Sequence, residues 1–409
     1  LYAVNTFGAV AGVVVTGFLL IGWYGIHVPV YLAVAGNLLI GLAAWAVSRQ
    51  TTGTSAANTP EAGKPGDGSK HEPVALDILT YRTVLLGLGI SGLTSFAYEI
   101  YWTRSLVFIL GNSTYALTTM LSAFLTGIGL GGWLIRYVIK RSVDRVLVFG
   151  IVQVLLGVLS ASALPLLFAL SDPQTLNRHV ISASESASGL LITGYGISFL
   201  VMLAPAILIG TTFPLAGSMG IRDRDRAGTV VGRTYAVNTI GNVLGALLPG
   251  IVLINWIGIQ KGILVMALMN IALGFSILLA RSRQAARTTA WRTVLPVMVI
   301  LTVFAISRAP LSFQFPSEYE RESSRTLYYR EGPLATTKVF EDPLSGEKHM
   351  SVDGIVIGGT GLAEYKQLLL AHLPKLLAEN FENELSVGLG SGILVGESAR
   401  HPGVKRITS

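Results

Sequence analysis

The sequence predicts a mainly α protein: a polytopic transmembrane helix bundle with an internal duplication, followed by a partial soluble α/β domain. Three observations carry this. Of 409 residues, 51% are hydrophobic and only 13% charged, with a mean hydropathy of +0.59, whereas soluble domains carry about 25% charge. Tyr2-Ala3-Val4-Asn5-Thr6 recurs as Tyr235-Ala236-Val237-Asn238-Thr239, 233 residues later. The echo keeps register through Gly8 with Gly241, Gly12 with Gly245, Gly17 with Gly250, Trp23 with Trp256, Gly25 with Gly258 and Asn37 with Asn270. From about position 310 the apolar runs give way to strand-like segments and a glycine-rich turn.

In chain order, nine candidate spans read as 2–22, 28–48, 82–103, 113–137, 146–170, 189–212, 234–255, 261–280 and 292–307. Each approaches the roughly 20 residues that cross a hydrocarbon core of about 30 Å, the last being short. Between the second and third, 50–77 is rich in Gly, Ser, Thr, Pro and Lys and reads as a flexible linker. Further on, 326–340 and 349–357 are strand-like and flank the turn cluster Asp342-Pro343-Leu344-Ser345-Gly346. Helical periodicity follows over 362–377, then a short buried strand at 384–388.

The net charge of +7 resides largely in short loops between apolar runs. Arg136, Lys140, Arg141 and Arg145 mark one loop as cytoplasmic; Arg222, Arg224, Arg226 and Arg233 mark a second, and Arg281, Arg283, Arg287 and Arg292 a third. Loops at 171–188 and 256–261 should face outward. The expectation is a multi-pass protein of the inner (plasma) membrane, partnered by the lipid bilayer and not by nucleic acid. If 292–307 crosses, the α/β domain emerges outside, where a nucleoside cofactor is scarce; otherwise that segment is interfacial or re-entrant. The absence of cysteine excludes disulfides, thiolate metal sites and cysteine nucleophiles, and no metal site is expected. No signal peptide is visible, and the chain reads as an internal fragment of a longer protein.

The strongest chemical signal is Val387-Gly388-Leu389-Gly390-Ser391-Gly392, directly after the 384–388 strand. Glycines there let the backbone turn close to a nucleoside ligand, and the following helix presents free N–H groups. The plain structural alternative is a strand-to-helix turn that needs small residues. Context is supplied by Tyr328-Tyr329-Arg330-Glu331-Gly332-Pro333-Leu334-Ala335-Thr336, Ser351-Val352-Asp353-Gly354, Leu370-Ala371-His372-Leu373-Pro374 and His401-Pro402. With these motifs the chain resembles the spermidine synthase family, the polyamine aminopropyltransferases. It is most similar to a bacterial branch with a multi-span membrane region ahead of the synthase-like domain. Gly92-Leu93-Thr94-Ser95-Phe96-Ala97-Tyr98-Glu99-Ile100-Tyr101-Trp102-Thr103-Arg104 and the duplicated Tyr-Ala-Val-Asn-Thr segment resemble that branch too.

The resemblance implies a transferase of polyamine biosynthesis whose substrates are decarboxylated S-adenosylmethionine and a small amine. It implies a β-hairpin leading into a Rossmann-like methyltransferase-type fold. The expected division is 1–48 as the end of a first membrane repeat, 49–81 as linker, 82–308 as a second repeat, and 309–409 as the N-terminal part of the synthase-like domain. Gly388, Gly390, Ser391 and Gly392 would hold the nucleoside; Asp353 and Tyr365 are candidates for substrate binding, Asp353 being equally readable as a hairpin turn. The ribose-binding and catalytic carboxylates are expected past Ser409, after the strand beginning near Val404, so the resemblance implies an active site that is incomplete in this chain. Three departures stand out: Ile357 occupies the place of a family glutamine, Gly361-Leu362-Ala363-Glu364-Tyr365-Lys366-Gln367 replaces an acidic segment, and Lys366 would repel a cationic amine.

Other polar residues carry two readings each. His372 is expected to pack on its helix, with no partner acid visible. Glu99 is either a functional carboxylate within the membrane or part of an interfacial aromatic belt with Tyr98, Tyr101 and Trp102. Asn5 and Asn238 either hydrogen-bond across helix interfaces or line a cavity, and Gly8/Gly12, Gly241/Gly245 and Gly127/Gly131 permit close helix approach. A transporter-like module, as duplicated membrane halves suggest, and a catalytically lost accessory subunit with a protein partner or in a homo-oligomer are the competing functions.

Overall fold

A computed structural model describes residues 2–51, 78–141, 143–171, 187–220, 227–284, 290–307 and 314–409. Most of the expected linker, Arg222, Arg224, Arg226 and Arg287, and residues 172–186 of the outward loop at 171–188 lie outside the described residues. Among the described residues, seven helices are long and apolar enough to cross a membrane. The seventh, Gly228–Arg281, has 54 residues and is broken within, so it is long enough for two crossings at about 20 residues each.

The first copy of the echoed segment runs as α1 (Tyr2–Val15), a π-turn (Thr16–Leu20), α2 (Ile21–Tyr24) and α3 (His27–Thr51). Gly25, between α2 and α3, has φ 72° and ψ −173°. After α4 (Ile78–Leu110), α5 (Thr114–Ile139), α6 (Arg145–Ser171) and α7 (Ala187–Gly220), the second copy repeats these irregularities. It runs as α8 (Ala227–Leu247), a π-turn (Leu248–Leu253) and α9 (Ile254–Gln284), with Gly258 at φ 78° and ψ 178°. Only glycine enters that backbone region without strain, so the spacing of glycines fixes the same break in both segments.

Glycines let α4–α9 approach closely. Gly127 and Gly131 of α5 face Ala206 and Ile207 of α7; Gly241 and Gly245 of α8 face the Gly89 and Leu93 carbonyls of α4; Gly157 and Gly274 join α6 to α9. Between apolar helices in lipid, packing and hydrogen bonds rather than hydrophobic transfer hold the contact. Thr94 donates to the Asn270 amide oxygen at 2.9 Å, and the Asn270 amide nitrogen donates to Tyr98 Oη at 3.0 Å, all three residues being fully buried. Tyr98, Tyr101 and Trp102 are wholly buried, with Tyr98 stacked on Trp102 at 5.0 Å. The aromatic-belt reading sets these rings at a membrane boundary; in the fold all three are packed among the helices of the bundle.

The helix α10 (Ala290–Ser307), 18 residues long, packs on α6 and leads to the sheet. Strands β1 (Arg325–Glu331), β2 (Thr336–Glu341), β3 (Lys348–Val352) and β4 (Ile355–Gly359) form an antiparallel meander. The two strand-like stretches seen in the sequence each split in two: Gly332-Pro333 interrupts the first, because proline cannot donate to a ladder. Asp353 and Gly354, at φ 49° and 88°, turn the second as a two-residue hairpin loop with positive φ at both positions. Then come α11 (Leu362–Leu377), β5 (Asn383–Leu385), α12 (Ile393–Ala399) and β6 (Arg406–Thr408). β5 and β6 pair in parallel, Asn383 with Arg406 and Leu385 with Thr408, so α12 is their crossover.

The meander rests on the end of the bundle where α4 finishes and α9 begins. Arg104 donates to the Leu334 and Gly332 carbonyls at 2.6 and 3.1 Å, and Phe108 stacks on Phe315 with centroids 4.3 Å apart. The Ile259 amide, freed by the break at Gly258, donates to the Glu331 carboxylate. The opposite end carries Arg136, Lys140, Arg141 and Arg145; there Arg145 donates to the Ser218 carbonyl at 2.8 Å and Asp144 pairs with Arg281.

Candidate functional site

The site begins at the turn between β5 and α12. Gly388, Gly390 and Gly392 have φ of 95°, 58° and 79°, and nothing lies within 4 Å of where a Cβ would project. The glycines are required by backbone conformation, not by crowding, and the space before them is open. Ser386 Oγ donates to the Gly388 carbonyl at 2.9 Å and shapes the turn. Ser391 is next in the loop, its buried hydroxyl against Gly358 of β4. The helix that follows has only seven residues, too short for the N–H array expected from the sequence to dominate.

A cavity of about 710 Å³ opens beside this loop, lined by Gly388, Gly390, Leu389, Ile357, Gln367, Leu370 and Phe381. Gln367 donates to the Ile357 carbonyl at 3.1 Å, tying α11 to β4. The wall also holds Lys375 and Glu384, 2.8 Å apart. Lys375 donates to the Ala371 carbonyl at 2.7 Å and to Ser398 Oγ at 2.9 Å, and Ser398 donates to Glu384 at 2.8 Å. Burial would raise the Glu384 carboxyl, but hydrogen bonds from Lys375 and Ser398 and the Lys375 and His401 charges together hold it below the ordinary carboxylate range. The cation and carboxylate neutralise one another, leaving a wall suited to an uncharged ring system.

The sequence candidates fall in three places. Gly388 and Gly390 line the cavity; Ser391 and Gly392 complete the loop. Asp353 is buried at the β3–β4 turn, accepts from the Thr336 amide at 2.8 Å and lies 3.8 Å from Arg104. Tyr365 is 59% exposed on α11, and Lys366 is exposed and does not line the cavity. Glu99, Asn5 and Asn238 belong to the helices. Asn5 is exposed; Asn238 lies against Gly92, and with the Asn242 amide oriented to satisfy its neighbours, its nitrogen donates to the Gly92 and Asn238 carbonyls at 3.2 and 3.1 Å.

No acid lies near His372 in the sequence. In the fold its Nδ1 lies 2.6 Å from His401 Nε2, and its Nε2 is 3.7 Å from a Glu397 carboxylate oxygen. Only the folding of α12 back onto α11 brings that acid near. A second cavity, of about 390 Å³, lies at the sheet–bundle junction between Gly258, Lys261, Gln314, Tyr329 and Glu331. Tyr329 donates to Glu331 at 2.7 Å, and its hydroxyl is pushed well above the ordinary tyrosine range, first by burial and then by the Glu331 charge.

The chain is 23% identical over 335 residues to a polyamine aminopropyltransferase 2 of Streptomyces coelicolor, covering 79% of this chain and 56% of that protein. Polyamine aminopropyltransferases 2 and 1 of Ralstonia nicotianae are each 28% identical over 222 residues, or 52% of this chain. The matches support a spermidine synthase-like family. This chain spans between 38% and 56% of the length of these curated aminopropyltransferases. No family model matches the chain, and no solved structure matches it significantly.

Proposed function

We propose that this polypeptide is an integral membrane protein with an aminopropyltransferase-type nucleoside pocket at the sheet end of its bundle. The bundle would be a tandem duplication, ending near 48 in its first copy and running from 82 to 308 in its second. From 309 the chain would begin a Rossmann-like methyltransferase-type domain. The observation that carries the reading is the β5–glycine turn–α12–β6 crossover, whose positive-φ glycines open onto a cavity of about 710 Å³.

Gly388, Gly390, Ser391 and Gly392 would receive the adenosyl part of decarboxylated S-adenosylmethionine, with Leu370 and Leu389 against its rings. Such a substrate supplies an aminopropyl carbon already activated by a sulfonium leaving group. The chain's own contribution is to position it and exclude water. Asp353 and Tyr365 belong to the amine side of this proposal, Asp353 with one carboxylate oxygen already engaged by the Thr336 amide. The test is methylthioadenosine release by the full-length protein in lipid, given decarboxylated S-adenosylmethionine and a panel of amines. Gly390→Val should abolish binding of the nucleoside, because it strains a left-handed turn and fills the cavity mouth. Turnover unaffected by Gly390→Val would refute the placement.

A second reading, an accessory subunit without catalysis, is favoured by one feature: the sheet docks on the bundle end opposite Arg136, Lys140, Arg141 and Arg145. Under the positive-inside rule that end faces outward, away from the adenosyl pool. A membrane-impermeant maleimide applied to intact cells carrying Leu376→Cys, 80% exposed in the parent, separates the two. Labelling supports the accessory reading; protection until lysis supports the enzyme.

A further inference from the structure

The two echoed segments use opposite faces. In α8, Gly241 and Gly245 are buried against α4, and Asn270 of α9 is buried against Thr94 and Tyr98. Their mates Gly8, Gly12 and Asn37 are exposed; a Cβ on Gly8, Gly12 or Gly41 would meet nothing within 4 Å. Gly41 is the mate of Gly274, which packs on Gly150 and Val154 of α6. The converse holds for the other face. Phe7 of α1 lies on Gly129 of α5 and Gly17 lies on Thr118. Their mates are Ile240, which is 62% exposed, and Gly250, whose Cβ would meet only Ile100 at 3.9 Å.

Equal sequence at equal positions should meet equal surroundings. An amide such as Asn37, exposed in the middle of an otherwise apolar helix, is costly in hydrocarbon unless it is bonded. Asn270 shows the partner it takes: two hydroxyls four residues apart on a neighbouring helix. Gly241 and Gly245 show what their mates take: helix backbone at close range.

We propose that these two uncovered faces seat one further four-helix unit built like α4–α7. Its α4-type helix lies on Gly8 and Gly12 and offers hydroxyls to Asn37; its α6-type helix meets Gly41; its α5-type helix lies on Ile240 and Gly250. Each echoed helix then bridges two units, one by each face, around a pseudo-two-fold axis. A second copy of this chain cannot supply the unit, because its α4 is already covered by α8 and its α5 by α1. The inference rests on the duplication but not on aminopropyl chemistry.

The chain has no cysteine, so single-cysteine variants report cleanly. The protein is extracted from its native membrane in polymer-bounded lipid discs. Gly12→Cys and Ile240→Cys carry a nitroxide, with Leu244→Cys as the lipid-facing reference, exposed as is its mate Ala11, and Ala267→Cys as the buried one. Oxygen accessibility at 12 and 240 matching position 267 supports the proposal; values matching position 244 overturn it, and so does a disulfide between identical Gly12→Cys chains. As a second measure, Gly12→Leu should lower the folded-to-unfolded ratio by about 5- to 150-fold, the range of overpacking costs. With the face open it is silent, and a silent Gly12→Leu overturns the proposal. That failure leaves the matched breaks at Gly25 and Gly258 intact, whereas failure of the duplication itself would appear as unlike backbones at those two glycines.

Discussion

Replacing Arg104 by methionine should release the meander from the helices without unfolding either. Arg104 is 15% exposed, so solvent screens it little. It donates to the Leu334 carbonyl at 2.6 Å and the Gly332 carbonyl at 3.1 Å. Hydrogen bonds to a charged group contribute about 1.5–3 kcal/mol each. Methionine keeps the apolar stem, so the expected loss is the lower sum, about 3 kcal/mol. That corresponds to a roughly 100-fold rise in the undocked population. The reporter is hydrogen exchange at the Thr336 amide, buried in the parent and donated to Asp353 at 2.8 Å. Its exchange should accelerate by about that factor while amides in the middle of α5 and α6 hold. Asp353, 6% exposed, also loses the cation 3.8 Å away, so adding Asp353→Asn should recover part of the protection. Unchanged exchange at Thr336 in Arg104→Met would refute the view that this arginine fastens the sheet.

Glu384 should make the α/β part acid-sensitive. Its folded carboxyl ionises below the unfolded value of about 4.3, so its stabilisation is full above that value and is lost as pH falls through the folded one; Glu384→Gln should flatten the acid limb of a pH–melting curve. Asn270→Leu should cost about 1–2 kcal/mol in resistance to SDS unfolding, because Thr94 and Tyr98 lose a shared partner within the bundle. Gly258→Ala should destabilise by about 1–3 kcal/mol through backbone strain and also displace Glu331, whose carboxylate occupies the Cβ position. Gly25→Ala carries the strain alone, since nothing lies within 4 Å there. Equal melting shifts for the two alanines would count against a role for Glu331 at α9.

Much of the helical plan was legible because it is written in local chemistry. The 233-residue echo carried Gly25 and Gly258 with it, and both became the same left-handed break. The glycine run at 388–392 became the turn of a crossover because no other residue takes those φ values cheaply. The strands were legible as composition but not as count, since Gly332-Pro333 and Asp353-Gly354 cut each stretch in two. What sequence could not supply was long-range company. Nothing local links Arg104 to Leu334, or Glu331 to the amide of Ile259. Tyr98, Tyr101 and Trp102 look the same at a water boundary or in a core; only the neighbouring helices packed over them tell the two apart. His372 lacked an acid until α12 folded Glu397 and His401 against it.

The break at Gly258 has a mechanical consequence. An unbroken α9 would spend the Ile259 amide on its own preceding turn, and the helix would be indifferent to the sheet. Because the ladder is cut there, that amide is available, and a carboxylate from β1 takes it. This tether, alongside Arg104, thus couples the tilt of the rod to the pose of the lobe, so that a swing of one drags the other.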